Sequence, residues 1–169
     1  WSIVYSRNRM QHVRVRVQRR RCIRDRSERQ SDAVASLSLD GRLGKLEMIS
    51  LKLCTEINDA DLTSILSKCY GSVKTIDIRH CLRINSSAAH IKRCTKLEAF
   101  AAESAAAYMA EIFQSCPRLR MVVVSNFGSR LTDEVVLSVA AHCPLLEHLD
   151  FGWCSAVSDS AIRRVAESC

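Results

Sequence analysis

Apolar and polar positions alternate in a unit that recurs along most of the chain. Each unit opens with the apolar pattern L-x-x-L-x-L, whose last two positions have the two-residue spacing of a β-strand. The apolar triplets are Leu46/Ile49/Leu51, Val73/Ile76/Ile78, Leu97/Phe100/Ala102, Leu119/Val122/Val124 and Leu146/Leu149/Phe151. Successive units begin 27, 24, 22 and 27 residues apart. Self-similarity at such a period is typical of repeat proteins.

A helix is predicted in the second half of each unit. The polar pairs Asn58-Asp59, Thr132-Asp133 and Ser158-Asp159 offer side-chain oxygens to the free amides of a helix N-terminus. Apolar residues then recur at helical spacing. The clearest sets are Leu62/Ile65/Leu66/Cys69 and Val135/Val136/Val139/Ala140/Cys143. Each unit therefore reads as strand, turn and helix.

One such unit cannot bury its apolar residues, but stacked units bury a continuous core. The predicted fold is α/β, a leucine-rich repeat solenoid in which a parallel sheet lines the concave face. The curvature follows because helices take up more room than strands. The predicted repeats span residues 46–72, 73–96, 97–118, 119–145 and 146–169. Residues 32–45 are predicted to form an N-terminal helix or a degenerate repeat, and residues 1–31 an Arg-rich tail.

Cysteine follows the same period. The chain has 9 Cys, five of which, at 69, 94, 116, 143 and 169, are 25, 22, 27 and 26 residues apart. Cys54, Cys81 and Cys154 recur at the end of the predicted strands. A period of single cysteines without Cys-x-x-Cys indicates buried free thiols in a reducing compartment, not a disulfide framework.

The fifth unit carries a family resemblance. Residues 143–159, from Cys143-Pro144 to Ser158-Asp159, resemble the motif C-x-x-L-x-x-L-x-L-x-x-C-x-x-I-x-D-x-x-L of the cysteine-containing leucine-rich repeat family. The resemblance covers about residues 43–169, with a short, Ala-rich third unit as the main departure. The family is best known from F-box/LRR proteins. There the repeats select the substrate of a cullin-based ubiquitin ligase, and a separate F-box binds the Skp adaptor.

The charge is concentrated in the tail. Residues 1–31 hold ten Arg and two acids, whereas the rest of the chain sums to −1. The tail fits a disordered or non-native segment, a nuclear or nucleic-acid signal, or a transit peptide. A nucleic-acid partner is therefore expected only through residues 1–31. No membrane association is predicted, because no apolar run approaches the roughly 18 residues that span a bilayer.

Candidate catalytic and metal-binding motifs are missing from the sequence. We find no nucleophile elbow, phosphate-binding glycine loop or His-Glu-x-x-His. Cys81, His90 and Cys94 lack the paired spacing of a zinc site. The sequence thus predicts no enzyme activity, no metal and no cofactor.

The concave face is the expected functional surface, because alternate strand residues point away from the core. The predicted partner-binding residues on this face and its rim are Met48, Ser50, Lys52, Asp77, Arg79, His80, Glu103, Met121, Val123, Ser125, Phe127, His148, Asp150 and Trp153. Tryptophan recurs at the position of Trp153 in the resembled family, so this residue either binds a partner or packs between turns.

The predicted function is non-catalytic protein–protein recognition in the cytoplasm or nucleus. The resemblance implies the substrate-binding part of an F-box/LRR subunit of an SCF-type ubiquitin ligase. No segment reads as an F-box, so the Skp adaptor and cullin are expected only if an F-box lies outside this chain. The alternatives are a stand-alone LRR scaffold of the mitotic-exit or DNA-repair type, and a nucleic-acid-associated protein that uses the Arg-rich tail.

Overall fold

The computed structural model describes residue 44 and residues 46–86, 88–103, 108–125 and 131–168. Five strands alternate with five helices in these ranges. The strands are β1 (Met48–Ser50), β2 (Thr75–Asp77), β3 (Ala99–Ala102), β4 (Met121–Val124) and β5 (His148–Asp150). The helices are α1 (Asp59–Cys69), α2 (Ala88–Ile91), α3 (Met109–Ser115), α4 (Asp133–His142) and α5 (Asp159–Ser168). The predictions for residues 1–31 and, Gly44 apart, for residues 32–45 lie outside the described residues.

The strands form one parallel sheet in chain order. Its register brings the first residues of all five strands into one row, from Met48 through Thr75, Ala99 and Met121 to His148. The apolar second residues form the next row, which faces the helices. The predicted α/β solenoid is confirmed, and the register is the one that the apolar triplets imply.

The core lies between this sheet and the helices. Apolar residues of both elements are fully enclosed in the middle of the stack, and Phe100 and Phe113 are the largest. Helix α1 buries Leu62, Ile65 and Leu66, the face that its periodicity predicts. The longest described helix has 11 residues, and none in this part of the chain combines the length and apolar character needed to cross a bilayer.

The helix starts bear out two of the three predicted caps. Asn58 Oδ1 accepts hydrogen bonds from the amides of Ala60 (2.8 Å) and Asp61 (3.2 Å), and the Asp61 carboxylate accepts one from the Asn58 amide at 3.1 Å. Such a reciprocal pair is a capping box. Ser158 Oγ accepts a bond from the Ala161 amide at 3.3 Å.

The third cap prediction is wrong in its chemistry. Thr132 occupies the N-cap position of α4, but its side chain makes no capping bond. Its backbone carbonyl accepts hydrogen bonds from the amides of Val135 and Val136, at 3.1 and 3.2 Å, and the Ser158 carbonyl of the next helix accepts the same two bonds. The first turn of α4 is therefore closed by backbone bonds alone.

The N-cap residues Asn58 and Thr132 give a matched test, because only the Asn58 side chain makes capping bonds. We expect Asn58→Ala to lower the free energy of unfolding by about 1 kcal/mol, because two helix amides lose their acceptor. Thr132→Ala is the control and should cost less than about 0.5 kcal/mol. Urea unfolding followed by circular dichroism measures both, and equal losses would contradict the assignment.

Carboxylates at the helix starts join neighbouring units. Asp59 accepts hydrogen bonds from the amides of Asn85 (2.9 Å) and Ser86 (3.1 Å) and from Ser86 Oγ (2.8 Å). Asp133 accepts bonds from the amide and hydroxyl of Ser158, at 2.7 and 2.6 Å. In both cases the first residue of one helix binds the turn of the following unit. From the sequence alone, these acids are explained by the helix dipole, and their bonds to the following unit are not predicted.

The Asp133 contact makes stability depend on pH. The Ser158 hydroxyl and amide hold the pKa of the Asp133 carboxyl below its ordinary value of 3.8. A lowered folded-state pKa stabilises the fold above 3.8, and the contribution is lost as the pH falls through the lowered value. We expect Asp133→Asn to lose less stability than the wild type between pH 6 and pH 3, measured as the urea midpoint.

Asp159→Asn is the matched control for that experiment. Asp159 also begins a helix but is exposed, so its variant shows what loss of an acid at a helix start does when the Ser158–Asp133 bonds stay in place. The Asp133 assignment fails if both variants follow the wild-type curve.

Candidate functional site

Each described strand–turn junction contains a residue in the left-handed backbone region. Leu53, His80 and Trp153 have φ values of 67°, 60° and 61°, and each directly precedes a strand-end cysteine. Left-handed backbone is unfavourable for residues other than glycine, at about 1–2 kcal/mol. The neighbouring thiols support these turns: Cys81 donates to the Leu51 carbonyl at 3.0 Å and Cys154 to the Val124 carbonyl at 3.7 Å.

Four of the predicted site residues form two charged pairs at the ends of β2 and β3. Arg79 Nε and Nη2 donate to the two carboxylate oxygens of Asp77, at 3.0 and 2.7 Å. His80 Nδ1 lies 2.8 Å from Glu103 Oε2, which also accepts a hydrogen bond from the His80 amide at 3.2 Å. Because each pair is held by two contacts, these side chains present a fixed polar surface.

Two of the predicted aspartates shape the turns that follow their strands. Asp77 Oδ1 accepts a hydrogen bond from the Arg79 amide at 3.2 Å, and Asp150 Oδ1 accepts one from the Gly152 amide at 2.9 Å. The two carboxylates occupy the same position in units two and five. A β-carbon at Gly152 would lie 3.3 Å from Asp150 Oδ1, and the corresponding position in unit two is Arg79.

An apolar strip crosses the middle of the concave face. Met121 is 45% exposed, whereas Val123 is half-buried and Ala101 is only 9% exposed. The outward position of Ala101 is thus largely shielded. The strip separates the charged pairs near β2 and β3 from His148 and Asp150 on β5.

The remaining predicted residues occupy the borders of this face. Ser50 and Lys52 are exposed, and Met48, Ser125 and His148 are half-buried. Trp153 is 87% exposed, the most exposed large apolar side chain in the described ranges. Within those ranges its indole is therefore not packed between turns. Phe127 lies outside the described residues.

A ladder of alternating charges runs along the start of the strands, and the sequence reading missed it. It consists of Glu47, Lys74, Glu98, Arg120 and Glu147, which follow the first apolar residue of each unit. Lys74 Nζ lies 2.9 Å from a Glu47 oxygen, and Arg120 pairs with Glu147. The signal was present in the sequence, because the charge changes sign at each step when the units are aligned.

The cysteines supply packing and weak hydrogen bonds. Cys69, Cys81, Cys94, Cys116 and Cys143 are buried thiols, as predicted, but Cys54 and Cys154 are only partly buried. Burial raises the pKa of Cys69 to about 11 and those of Cys81, Cys94 and Cys116 to about 12. The described part of the chain holds no group of three or more His, Cys, Asp or Glu residues able to bind a metal ion.

These environments predict two classes of thiol reactivity. At pH 8 a water-soluble alkylating reagent should modify Cys154 quickly and Cys94 slowly, because the Cys94 thiol is buried and its raised pKa suppresses the reactive thiolate. Peptide-resolved mass spectrometry measures both rates in the native chain. Denaturation in urea serves as the control and should make the two rates similar. Equal native rates would contradict the packing.

Comparison with known proteins supports the fold. No family model matches the chain, and no curated protein does so. The C-terminal domain of a Caenorhabditis elegans tropomodulin is similar to it, with a TM-score of 0.59 and 17% identity over 80% of this chain and 90% of that domain. A chain of the yeast Rad7–Elc1 complex has a TM-score of 0.44 and 13% identity, over 82% of this chain and 52% of that one. The tropomodulin similarity shows the α/β repeat fold.

Proposed function

We propose that this chain is a non-catalytic protein-recognition module that binds its partner on the concave face. The observation that carries the proposal is the exposed Met121 in an apolar strip bordered by two fixed charged pairs. Such an arrangement has the anatomy of a protein interface, in which an apolar centre is surrounded by a polar rim.

The polar groups support recognition more than affinity. Asp77 and Arg79 neutralise each other, and Glu103 is bound by the ring and the amide of His80, so the face presents polar groups of fixed orientation. Such complementarity mainly selects among partners, whereas the apolar centre supplies most of the binding free energy. Methionine suits that centre, because its flexible side chain adapts to the surface of a partner.

The more specific proposal is a substrate-binding role in an SCF-type ubiquitin ligase. It is supported by the resemblance of residues 143–159 to the repeats of F-box/LRR proteins. In such a subunit the F-box would lie outside this chain and would hold the Skp adaptor and cullin. The repeats would then need only to bind the protein to be degraded.

Affinity purification from cells of the source organism tests both levels of the proposal. The baits are the full-length protein and its Met121→Glu and Ile162→Ser variants. We expect Met121→Glu to reduce recovery of concave-face ligands by about 30-fold, the effect of losing a central interface residue. Ile162 is an exposed apolar residue of helix α5, and its variant is the matched control that should retain the ligands.

The recovered proteins separate the possible roles. Skp adaptor and cullin retained by all three baits would support the ligase role, because in F-box/LRR proteins the F-box and not the repeats binds the Skp adaptor. Partners that depend on Met121, recovered without ligase subunits, would leave a stand-alone LRR scaffold. Partners that bind the wild type and Met121→Glu equally would overturn the assignment to the concave face.

A further inference from the structure

The turns that lead into strands β3 and β4 carry exposed cations. Backbone hydrogen bonds of 2.9 and 3.2 Å between the last and first residues close the turns at residues 94–97 and 116–119. Lys96 and Arg118 are the third residues of these turns, and both are exposed. The third residue of the corresponding turn before β5 is Leu145. The two cations are therefore not a general feature of the repeat.

These two turns lie directly beside each other. Cys116 Sγ donates a hydrogen bond to the Cys94 carbonyl at 3.5 Å, which joins the first residues of the turns. Just after the turns, the Arg120 amide donates to the Glu98 carbonyl at 2.8 Å. Neighbouring strands of a sheet are about 5 Å apart. Because the two exposed cations lie between these contacts in the sequence, they are neighbours on the edge where the strands begin.

Two further cations extend this surface. Lys68 and Arg93 are exposed, and each directly precedes the buried cysteine that begins the turn to the next strand. The guanidinium carbon of Arg93 lies 4.2 Å from the centroid of the Tyr70 ring. Such a contact positions a cation without neutralising its charge. We call Lys68, Arg93, Lys96 and Arg118 the basic edge.

The cations of the basic edge have no carboxylate partner among the described residues. The ion pairs in this part of the chain include the nearby Lys74, Lys92 and Arg120, which bind Glu47, Glu111 and Glu147, but no member of the basic edge. The described residues hold 12 Lys and Arg against 14 Asp and Glu. Four cations without an acid partner thus stand out in a part of the chain where acids are in excess.

We propose that the basic edge is a docking surface for a segment of a partner protein that contains several Asp or Glu residues. The Arg118 guanidinium can bind one carboxylate through two parallel hydrogen bonds, and Lys96 binds a carboxylate beside it. Arg93 and Lys68 continue the surface towards unit one. Since these cations need not leave an ion pair within the described structure, each contact adds attraction without breaking another. The proposal is independent of partner binding on the concave face.

A nucleic acid fits the basic edge less well than an acidic protein segment. Its affinity comes from neutralising many phosphates along a charged backbone, whereas Glu98 and Glu147 of the charge ladder run beside the basic edge. Base stacking on an aromatic ring is the other common contribution. Tyr70 is half-buried and already contacts Arg93. A short acidic segment needs only the local cluster of cations.

Zero-length cross-linking tests the docking surface in the full-length chain. A carbodiimide joins the carboxylates of a peptide of alternating Glu and Ser to lysine amines, and peptide-resolved mass spectrometry locates the products. Residues 1–44 contain no Lys, so the Arg-rich tail forms no product. Lys52, which is exposed, is the internal reference. After correction for the acetylation rate of each amine, we expect about tenfold more product at Lys96 than at Lys52, because clustered cations concentrate the peptide.

Two charge reversals separate specific docking from the effect of net charge. Arg118→Glu should lower the product at Lys96 about tenfold, because the neighbouring cation becomes an anion that repels the peptide. Arg163→Glu makes the same change of charge on an exposed position of helix α5 and should leave that product unchanged. Equal corrected products at Lys96 and Lys52, or equal losses in the two variants, would overturn the proposal. So would protection of Lys96 from acetylation by duplex DNA without any peptide product, because a nucleic acid would then be the occupant.

Discussion

The structure depends on the register of its parallel strands. The second residue of every strand falls in one row, so that Ile49, Ile76, Phe100, Val122 and Leu149 meet on the helix side of the sheet. A slip of one residue in any pair would turn that strand's apolar residues to the opposite face. The same register places Asp59 and Asp133 within reach of the following turns. The strand register thus determines the core, the concave face and the contacts between units.

The described turns after β1, β2 and β5 each pass through a left-handed residue. In units two and five the cysteine that follows this residue, Cys81 or Cys154, donates a hydrogen bond to a carbonyl of the preceding unit. Since the turn is fixed in this way, the residue at its corner is free to vary without loss of the repeat. Leucine, histidine and tryptophan occupy it in units one, two and five.

The sequence predicted the elements because burial imposes a period on apolar residues, and the strand register follows from aligning those periods. It also placed Asn58 and Ser158 correctly as caps. It could not predict that the Thr132 side chain would make no capping bond, because its residue type and position match those of the two caps that form. The pairing of His80 with Glu103 was equally hidden, since the two residues are 23 positions apart and meet only through the left-handed turn at His80. Periodicity identifies which residues face outward, but the contacts among them depend on local backbone geometry.

The alternating charge ladder constrains how such a chain can grow by internal duplication. Its signs run negative, positive, negative, positive and negative from Glu47 to Glu147. Copying a single unit in place would set two like charges side by side, whereas copying two adjacent units would preserve the alternation. Each exposed pair contributes little energy. A tandem copy of an odd number of units nevertheless creates a contact between like charges, whereas a copy of an even number creates none. The alternation of charge therefore favours duplication of units in pairs over duplication of single units.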